Sequence, residues 1–146
     1  MDERINHIAC CVDGSRAAGL ALEHAVQLRD QLGAERLDII HVVPPAVYFG
    51  VYYPPESTAP PETPDWLIAL GEHTPRSTVV MIDSFSNYPP AAVTRWADQE
   101  HVDLIVAASH QGTFRRMTVG SFSGYLAYHA TCPVMLIPPE MQDHTQ

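Results

Sequence analysis

The sequence contains no lysine, so all eight of its basic residues are arginine. This absence excludes a Walker A lysine, a Schiff-base lysine and an anchor for pyridoxal phosphate, because each of these uses a lysine amine. Seventeen acidic residues outnumber the arginines and give the chain a net charge of −9. Binding to nucleic acid or to an anionic membrane surface is therefore not expected, since both require a basic patch.

Long apolar runs and cysteines are also scarce. No stretch approaches the ~20 apolar residues of a membrane-spanning helix, and the acidic start of the chain lacks the order of a secretion signal. We therefore expect a cytoplasmic protein. Three cysteines are an odd number and do not indicate a disulfide framework. Cys10 and Cys11 lie in an apolar run and are interpreted as buried hydrophobic side chains, with a redox or metal-binding pair as the alternative.

Strand-like apolar segments alternate with segments of helical periodicity along the chain. Strands are predicted at residues 5–12, 37–43, 77–82, 103–108 and 133–137. The helices predicted between them run from an N-cap at Ser15 to a stop at Gly33, over 64–73, from Pro89 or Pro90 onwards, and over 121–129. This alternation predicts a single α/β domain over residues 1–146: a five-stranded parallel sheet with helices on both faces, Rossmann-like.

Residues 44–63 interrupt this regular pattern. They hold about half of the prolines and four aromatic residues, Tyr48, Phe49, Tyr52 and Tyr53. One interpretation is a lid or partner-binding surface, because long loops in compact domains are often functional. The other is a surface excursion whose aromatic side chains pack back on the domain. A polar tail, residues 139–146, follows the last strand.

Polar turns follow two of the predicted strands. Asp13-Gly14-Ser15 comes after the first strand, and a loop ending in Gly120-Ser121 comes between the fourth strand and the last helix. We expect the strand order 3-2-1-4-5, which makes the first and fourth strands neighbours at the switch point, where open α/β sheets bind ligands. Free N–H groups and the dipole at a helix N-terminus favour anions. The sequence thus predicts an anion site at this edge.

Other sites receive no support from sequence motifs. The eight histidines form no H-x-x-x-H or H-E-x-x-H pair, so no metal site is predicted. The chain also lacks a G-x-S-x-G nucleophile elbow and a G-x-G-x-x-G dinucleotide fingerprint. No catalytic residues are therefore assigned.

Several segments together resemble the universal stress protein family. Ile8–Ser15 resembles the opening strand of that family with its Asp-Gly-Ser turn, and Leu37–Val43 resembles its second strand, which ends in His-Val-Val. Gly120-Ser121, Tyr125–Ala130 and Cys132–Ile137 resemble its C-terminal signature. The resemblance extends over essentially the whole chain and implies one universal-stress-protein-like domain.

Nucleotide-binding members of that family carry G-x2-G-x9-G-[ST] after the fourth strand. This chain keeps the final pair, Gly120-Ser121. At the two earlier glycine positions it has Ala107 or Ala108 and then His110 or Gln111, depending on where a gap is placed. A residue other than glycine at positive φ costs about 1 kcal/mol or more. Gly112 is the candidate for the missing backbone role from a shifted position.

The resemblance implies roles for individual residues. Asp13 contacts the ribose or a phosphate-bound metal, Mg²⁺ in the case of ATP, and Val42 offers backbone groups to the edge of adenine. The phosphates are held by the loop after the fourth strand, whose candidate residues are Ala108, Ser109, Gly112, Arg115, Gly120 and Ser121. Three alternatives stay open: Asp13 as a turn former, Ser121 as a helix N-cap, and Arg115 and Arg116 as solvated charges.

Three functions are compatible with these residues. The first is a cytoplasmic stress-response regulator that binds ATP or AMP and, as the resemblance implies, forms a homodimer through the last strand. It is not expected to be an enzyme, because Asp13 is the sole candidate general base and any ATP hydrolysis would be slow and incidental. The second is a stress-response interaction protein without nucleotide, with the aromatic residues at 46–53 as the partner surface. The third, an enzyme acting on an adenylate, needs a phosphate motif that the chain lacks.

Overall fold

The computed structural model describes residues 4–43, 47–48, 51–52, 62–83, 88–109 and 120–138. Its elements follow one another along the chain as β1 (His7–Cys11), α1 (Arg16–Leu32), β2 (Arg36–Val43), β3 (Val47–Tyr48), β4 (Val51–Tyr52), α2 (Asp65–Glu72), β5 (Thr78–Asp83), α3 (Pro89–Gln99), β6 (Leu104–Ala108), α4 (Ser121–His129) and β7 (Val134–Ile137). Among these residues, no helix has the length and apolar character needed to cross a membrane.

Five strands form one parallel sheet in the order β5-β2-β1-β6-β7. Counted along the chain within this sheet, the order is 3-2-1-4-5, which confirms the prediction. The five predicted strands and four predicted helices are present, and their ends agree with the predictions to within two residues. The connections through α1 and α4 run in opposite directions from the centre of the sheet, so the switch point lies between β1 and β6.

The sheet is covered on both faces, and β1 shows how its residues divide between them. Ile8, Cys10 and Val12 pack in a core layer with α1 and α2, whereas Ala9 and Cys11 pack in the layer with α3 and α4. Strand geometry explains this, because successive side chains point to opposite faces. All residues of β1 are buried, as expected for a central strand of a parallel sheet.

The adjacent cysteines are buried small side chains, as predicted. Burial raises the pKa of Cys10 well above its ordinary value, with a further increase from Cys11, and burial raises the pKa of Cys11 to about 12. Both side chains are therefore neutral thiols at physiological pH, whereas the thiolate is the form that binds metals and attacks disulfides. They serve as core residues of β1.

Helix α1 begins and ends at the predicted residues. The Ser15 hydroxyl accepts a hydrogen bond from the Ala18 N–H at 3.1 Å, which is the N-cap interaction. At the other end Gly33 has φ +71°, and its N–H donates to the Arg29 carbonyl. Glycine suits this left-handed position because it has no Cβ to clash with the preceding turn.

The segment 44–63 contains two short strands that the sequence analysis did not predict. β3 and β4 pair in antiparallel fashion, Val47 with Tyr52 and Tyr48 with Val51. Valine and tyrosine both favour strands, and a separation of two residues is the commonest length for a hairpin connection. The other residues of 44–61 and the tail 139–146 lie outside the described residues, so both interpretations of this segment stay predictions.

Candidate functional site

Those predicted site residues that the structure describes lie along the carboxyl edge of the sheet. β1 pairs with β2 (Cys11 with Ile40) and with β6 (Cys10 with Val106). Extending these parallel registers places Asp13 between Val42 on one side and Ser109 on the other. The Gly120 N–H donates to the Ser109 carbonyl, which brings Gly120 and the adjacent Ser121 to this edge. Gly112 and Arg115 lie outside the described residues.

Asp13 shapes the turn that leads into α1. One of its carboxylate oxygens, Oδ1, accepts a hydrogen bond from the Ser15 N–H at 2.9 Å. This is an Asx-type turn, so the role of Asp13 as a turn former is confirmed. The side chain is also exposed, and a carboxylate has four acceptor sites. Asp13 can therefore hold the turn and bind a ligand at the same time.

Gly14 and Trp66 form a contact that the sequence analysis missed. Gly14 has φ +87°, and a Cβ at this position would lie 3.2 Å from the Trp66 ring. The same indole makes an edge-to-face contact with His41, with 5.0 Å between ring centroids. His41 Nδ1 lies 3.1 Å from the Val12 carbonyl oxygen, at the end of β1. Trp66 thus packs against the turn that carries Asp13.

Replacing Gly14 by alanine is expected to lower the free energy of unfolding by about 1–2 kcal/mol, the cost of a side chain in the left-handed region. The approach of the new Cβ to Trp66 adds to this cost. Urea unfolding measures the change. Gly19→Ala is the matched control, since a Cβ there meets no atom within 4 Å and alanine is favoured over glycine inside a helix. Equal stability of the two variants would contradict this account of the turn.

The carbonyl of Ser109 fixes the N-terminus of α4 to the end of β6. It accepts hydrogen bonds from the Gly120 N–H, at 3.0 Å, and from the Ser123 hydroxyl. The Ser109 N–H in turn donates to the Ile137 carbonyl at 2.9 Å. The two ends of the segment 110–119 are therefore held together. Ser123 is buried, and its role depends on a tertiary contact that no motif revealed.

The structure changes the interpretation of Gly120 and Ser121. The N-cap of α4 is Gly120, and Ser121 is the first helical residue, so the alternative of Ser121 as the N-cap was wrong. Ser121 is exposed. The Gly120 N–H already has an acceptor in Ser109, so its use in phosphate binding requires that bond to open. The first N–H groups of a helix have no partner within it, and Ser121 carries one of these.

Ala107 and Ala108, the alternatives for the first glycine of the motif, lie in β6. Both are buried, and they pair with Leu136 and Ile137 of β7. The Ala107 side chain packs in the core layer with α3 and α4. Val42 is half-buried near the end of β2 and pairs with Ile82. Within the described part of the chain, no group of three or more His, Cys, Asp or Glu side chains could hold a metal ion.

Comparison with known proteins identifies the family of this chain. The model of the universal stress protein family matches residues 4–138. No curated protein matches the sequence. Among solved structures, the chain is similar to universal stress protein UspA from Lactobacillus plantarum, with a TM-score of 0.66 and 23% identity over 93% of this chain and 99% of that chain.

Two further solved structures have ligands in their descriptions. One is a universal stress protein in complex with cAMP (TM-score 0.67, 15% identity, 92% of this chain and 97% of that chain covered). The other is a universal stress protein family protein from Arabidopsis thaliana with AMP bound (TM-score 0.61, 16% identity, 94% of each chain covered). At these identities the similarity shows the fold alone, whereas the family match extends over nearly all of the sequence. The chain belongs to the universal stress protein family.

Proposed function

We propose that this universal stress protein binds an adenine nucleotide, ATP or AMP, at the carboxyl edge between β1 and β6. The observation that carries the proposal is the convergence of the exposed Asp13 turn and the N-terminus of α4 at the switch point of the sheet. Two proteins of the same fold, described as bound to cAMP and to AMP, support it.

The order of the candidate groups along the edge matches the order of the parts of a nucleotide. Val42 on β2, Asp13 after β1 and Ser121 at the start of α4 follow one another across the sheet. In the proposal, the Val42 backbone binds the edge of adenine, and Asp13 accepts a hydrogen bond from the ribose or binds Mg²⁺ that accompanies ATP. Ser121 donates its N–H and hydroxyl to phosphate, as helix N-termini commonly do.

The loop after β6 completes the phosphate site in this proposal. Gly112 supplies the backbone position that the family motif assigns to a glycine, and Arg115 neutralises phosphate charge. The Ser109 carbonyl keeps the two ends of this loop together through Gly120 and Ser123. A loop closed at its base loses less conformational entropy on binding than a free one.

The physiological role is proposed to be binding rather than turnover. Asp13, the candidate general base, is exposed and already accepts a hydrogen bond from the Ser15 N–H. The protein is proposed to act as a cytoplasmic stress-response regulator, and its free cysteines suit a reducing compartment. We also propose a homodimer formed through β7, which is an edge strand with Met135 37% exposed.

The two tryptophans test where the nucleotide binds. Trp66 contacts Gly14 and His41 at the carboxyl edge, whereas Trp96 lies against His7 at the opposite edge, with 6.1 Å between ring centroids. Saturating ATP is expected to change the fluorescence of the wild-type chain and of Trp96→Phe. Trp66→Phe should lose most of this change. The proposed position is wrong if ATP changes the signal of Trp66→Phe alone, or of no variant at saturating concentration.

The second candidate function is a stress-response interaction protein without nucleotide. The specific observations that favour it are the buried alanines at the first motif position and the engagement of the Gly120 N–H by Ser109. Under this alternative, the aromatic residues at 46–53 contact a protein partner. ATP would then leave the fluorescence of both tryptophan variants unchanged, which distinguishes the two functions.

A further inference from the structure

A cavity of about 720 Å³ lies at the amino edge of the sheet, opposite the carboxyl edge described above. Its walls are the end of α1, the start of β2 and the start of β5. In a parallel sheet the amino and carboxyl ends of the strands lie at opposite edges. This cavity is therefore separate from the proposed nucleotide site, and the argument for it does not depend on that proposal.

The cavity is rich in arginine, although the protein as a whole is acidic. Arg29, Arg36 and Arg76 line it, which is three of the eight basic residues of the chain. The charged residues facing them in the lining are Asp30 and Glu35. Arg36 also pairs with Asp38 and Glu100, which lie outside the lining. Guanidinium groups recognise phosphate and carboxylate through paired N–H groups.

Arg29 is fixed in the wall of this cavity. The residue is 4% exposed, and its Nη1 donates to the carbonyls of Pro75 and Arg76 at 2.7 and 3.0 Å. These contacts tie the end of α1 to the turn that enters β5. Because folding already orders the Arg29 side chain, binding a ligand there loses little further conformational entropy.

Arg29 and Arg76 already hold one anionic oxygen between them. Asp30 Oδ1 accepts from Arg29 Nε at 3.0 Å and from Arg76 Nη2 at 2.9 Å. The hydrogen bond from Arg29 lowers the pKa of Asp30, with smaller contributions from the charges of both arginines and from the Arg76 hydrogen bond. Two guanidinium groups in this arrangement can bind an anionic oxygen, and in this structure that oxygen is Asp30 Oδ1.

Arg36 and Arg76 present further donors to solvent. Their side chains are 47% and 71% exposed. Arg36 is the first residue of β2, and Arg76 lies in the turn that enters β5, the strand paired with β2. Arg36 is held by Asp38, whose Oδ2 lies 3.0 Å from Arg36 Nη2. A guanidinium carries five N–H donors, so each arginine has capacity beyond its internal partner.

We propose that this cavity is a binding site for a small multivalent anion of the phosphate class, held by Arg29, Arg36 and Arg76. The anion shares or replaces the contact that Asp30 makes with two of these side chains. Inorganic phosphate, pyrophosphate and the phosphate group of a larger metabolite have the same chemistry at this site. The site is independent of Asp13 and of the N-terminus of α4.

Titration of the ¹⁵N-labelled full-length chain with pyrophosphate, followed by amide NMR at low ionic strength, tests the proposal. The amides of Gly33 and Ser77, which line the cavity, are expected to shift in a saturable manner. Arg76→Gln should weaken binding at least about tenfold, because it removes hydrogen bonds from a charged donor. Arg95→Gln is the matched control: it removes the same charge from an exposed position on α3 and should leave the affinity within about twofold.

A second variant separates loss of the site from loss of the fold. Arg76 has φ +59°, so Arg76→Gly removes the cation while favouring the local backbone conformation. It should lose pyrophosphate affinity as Arg76→Gln does. The proposal is overturned if the Gly33 and Ser77 amides do not shift at millimolar pyrophosphate. It is also overturned if the Ser121 amide shifts instead, or if both Arg76 variants bind as tightly as the control.

Discussion

Asp13→Ala is expected to weaken ATP binding roughly tenfold to a hundredfold, which corresponds to the loss of a hydrogen bond to a charged acceptor, about 1.5–3 kcal/mol. The carboxylate follows the buried strand β1 and is exposed at the switch point, where the proposal places the ribose or the bound Mg²⁺. Equilibrium dialysis with labelled ATP in the presence of Mg²⁺ measures the change in affinity. Thermal unfolding checks that the variant retains its fold.

Asp13→Asn separates ligand binding from the local turn. An asparagine Oδ1 still accepts the hydrogen bond that the Ser15 N–H donates at 2.9 Å, so the turn is kept while the negative charge is lost. We expect Asp13→Asn to be as stable as the wild type and to bind ATP more weakly. Undiminished ATP affinity in both Asp13 variants would remove this residue from the site.

Asp38→Ala is expected to have the largest effect on stability, lowering the free energy of unfolding by about 3–5 kcal/mol. The Asp38 side chain is 0% exposed, and its Oδ2 lies 2.8 Å from His7 Nε2 and 3.0 Å from Arg36 Nη2. Removing the carboxylate leaves these two groups without their shared partner at the junction of β1 and β2. Urea unfolding at neutral pH measures the loss.

Glu100→Ala is the control for Asp38→Ala. Glu100 contacts the same Arg36, at 3.4 Å, but both of these side chains are substantially exposed. Exposed pairs contribute about 0–1 kcal/mol, so this variant should remain within about 1 kcal/mol of the wild type. A loss of similar size in the two variants would show that the burial of Asp38 does not determine its contribution.

The same carboxylate makes stability depend on pH. Burial alone would raise the pKa of Asp38, but hydrogen bonds from His7 and Arg36 outweigh it and hold the pKa below the ordinary value of 3.8. A carboxylate whose pKa is lowered by folding stabilises the native state above its unfolded pKa. This contribution is therefore present at neutral pH and is lost as the pH falls below about 4. Asp38→Ala should flatten the stability profile in that acidic range.

The sequence predicted the layout of the fold because its signals are local. The periodicity of the apolar residues indicated five strands and four helices, and side chains at helix ends marked boundaries such as Ser15 and Gly33. The parallel sheet followed from the alternation of strand and helix. The turns after β1 and before α4 were assigned to the site because polar residues there end buried strands or begin helices.

Features that depend on tertiary contacts were not predictable in this way. The packing of Trp66 on Gly14 joins residues from two separate helix–strand units, and the pair His7–Asp38 joins two strand starts. The hydrogen bond from Gly120 to Ser109 depends on how a loop closes. Periodicity reports which face of an element is buried, but it does not identify the partner that each side chain meets.

Mass spectrometry of the denatured protein, after dialysis of the folded chain against millimolar ATP and Mg²⁺ and removal of free nucleotide, tests the central proposal most directly. The account predicts an adenine nucleotide at close to one per chain in the wild type and much less in Asp13→Ala. A wild-type chain that releases no nucleotide after this loading would contradict nucleotide binding. The alternative of a protein partner at residues 46–53 would then be favoured.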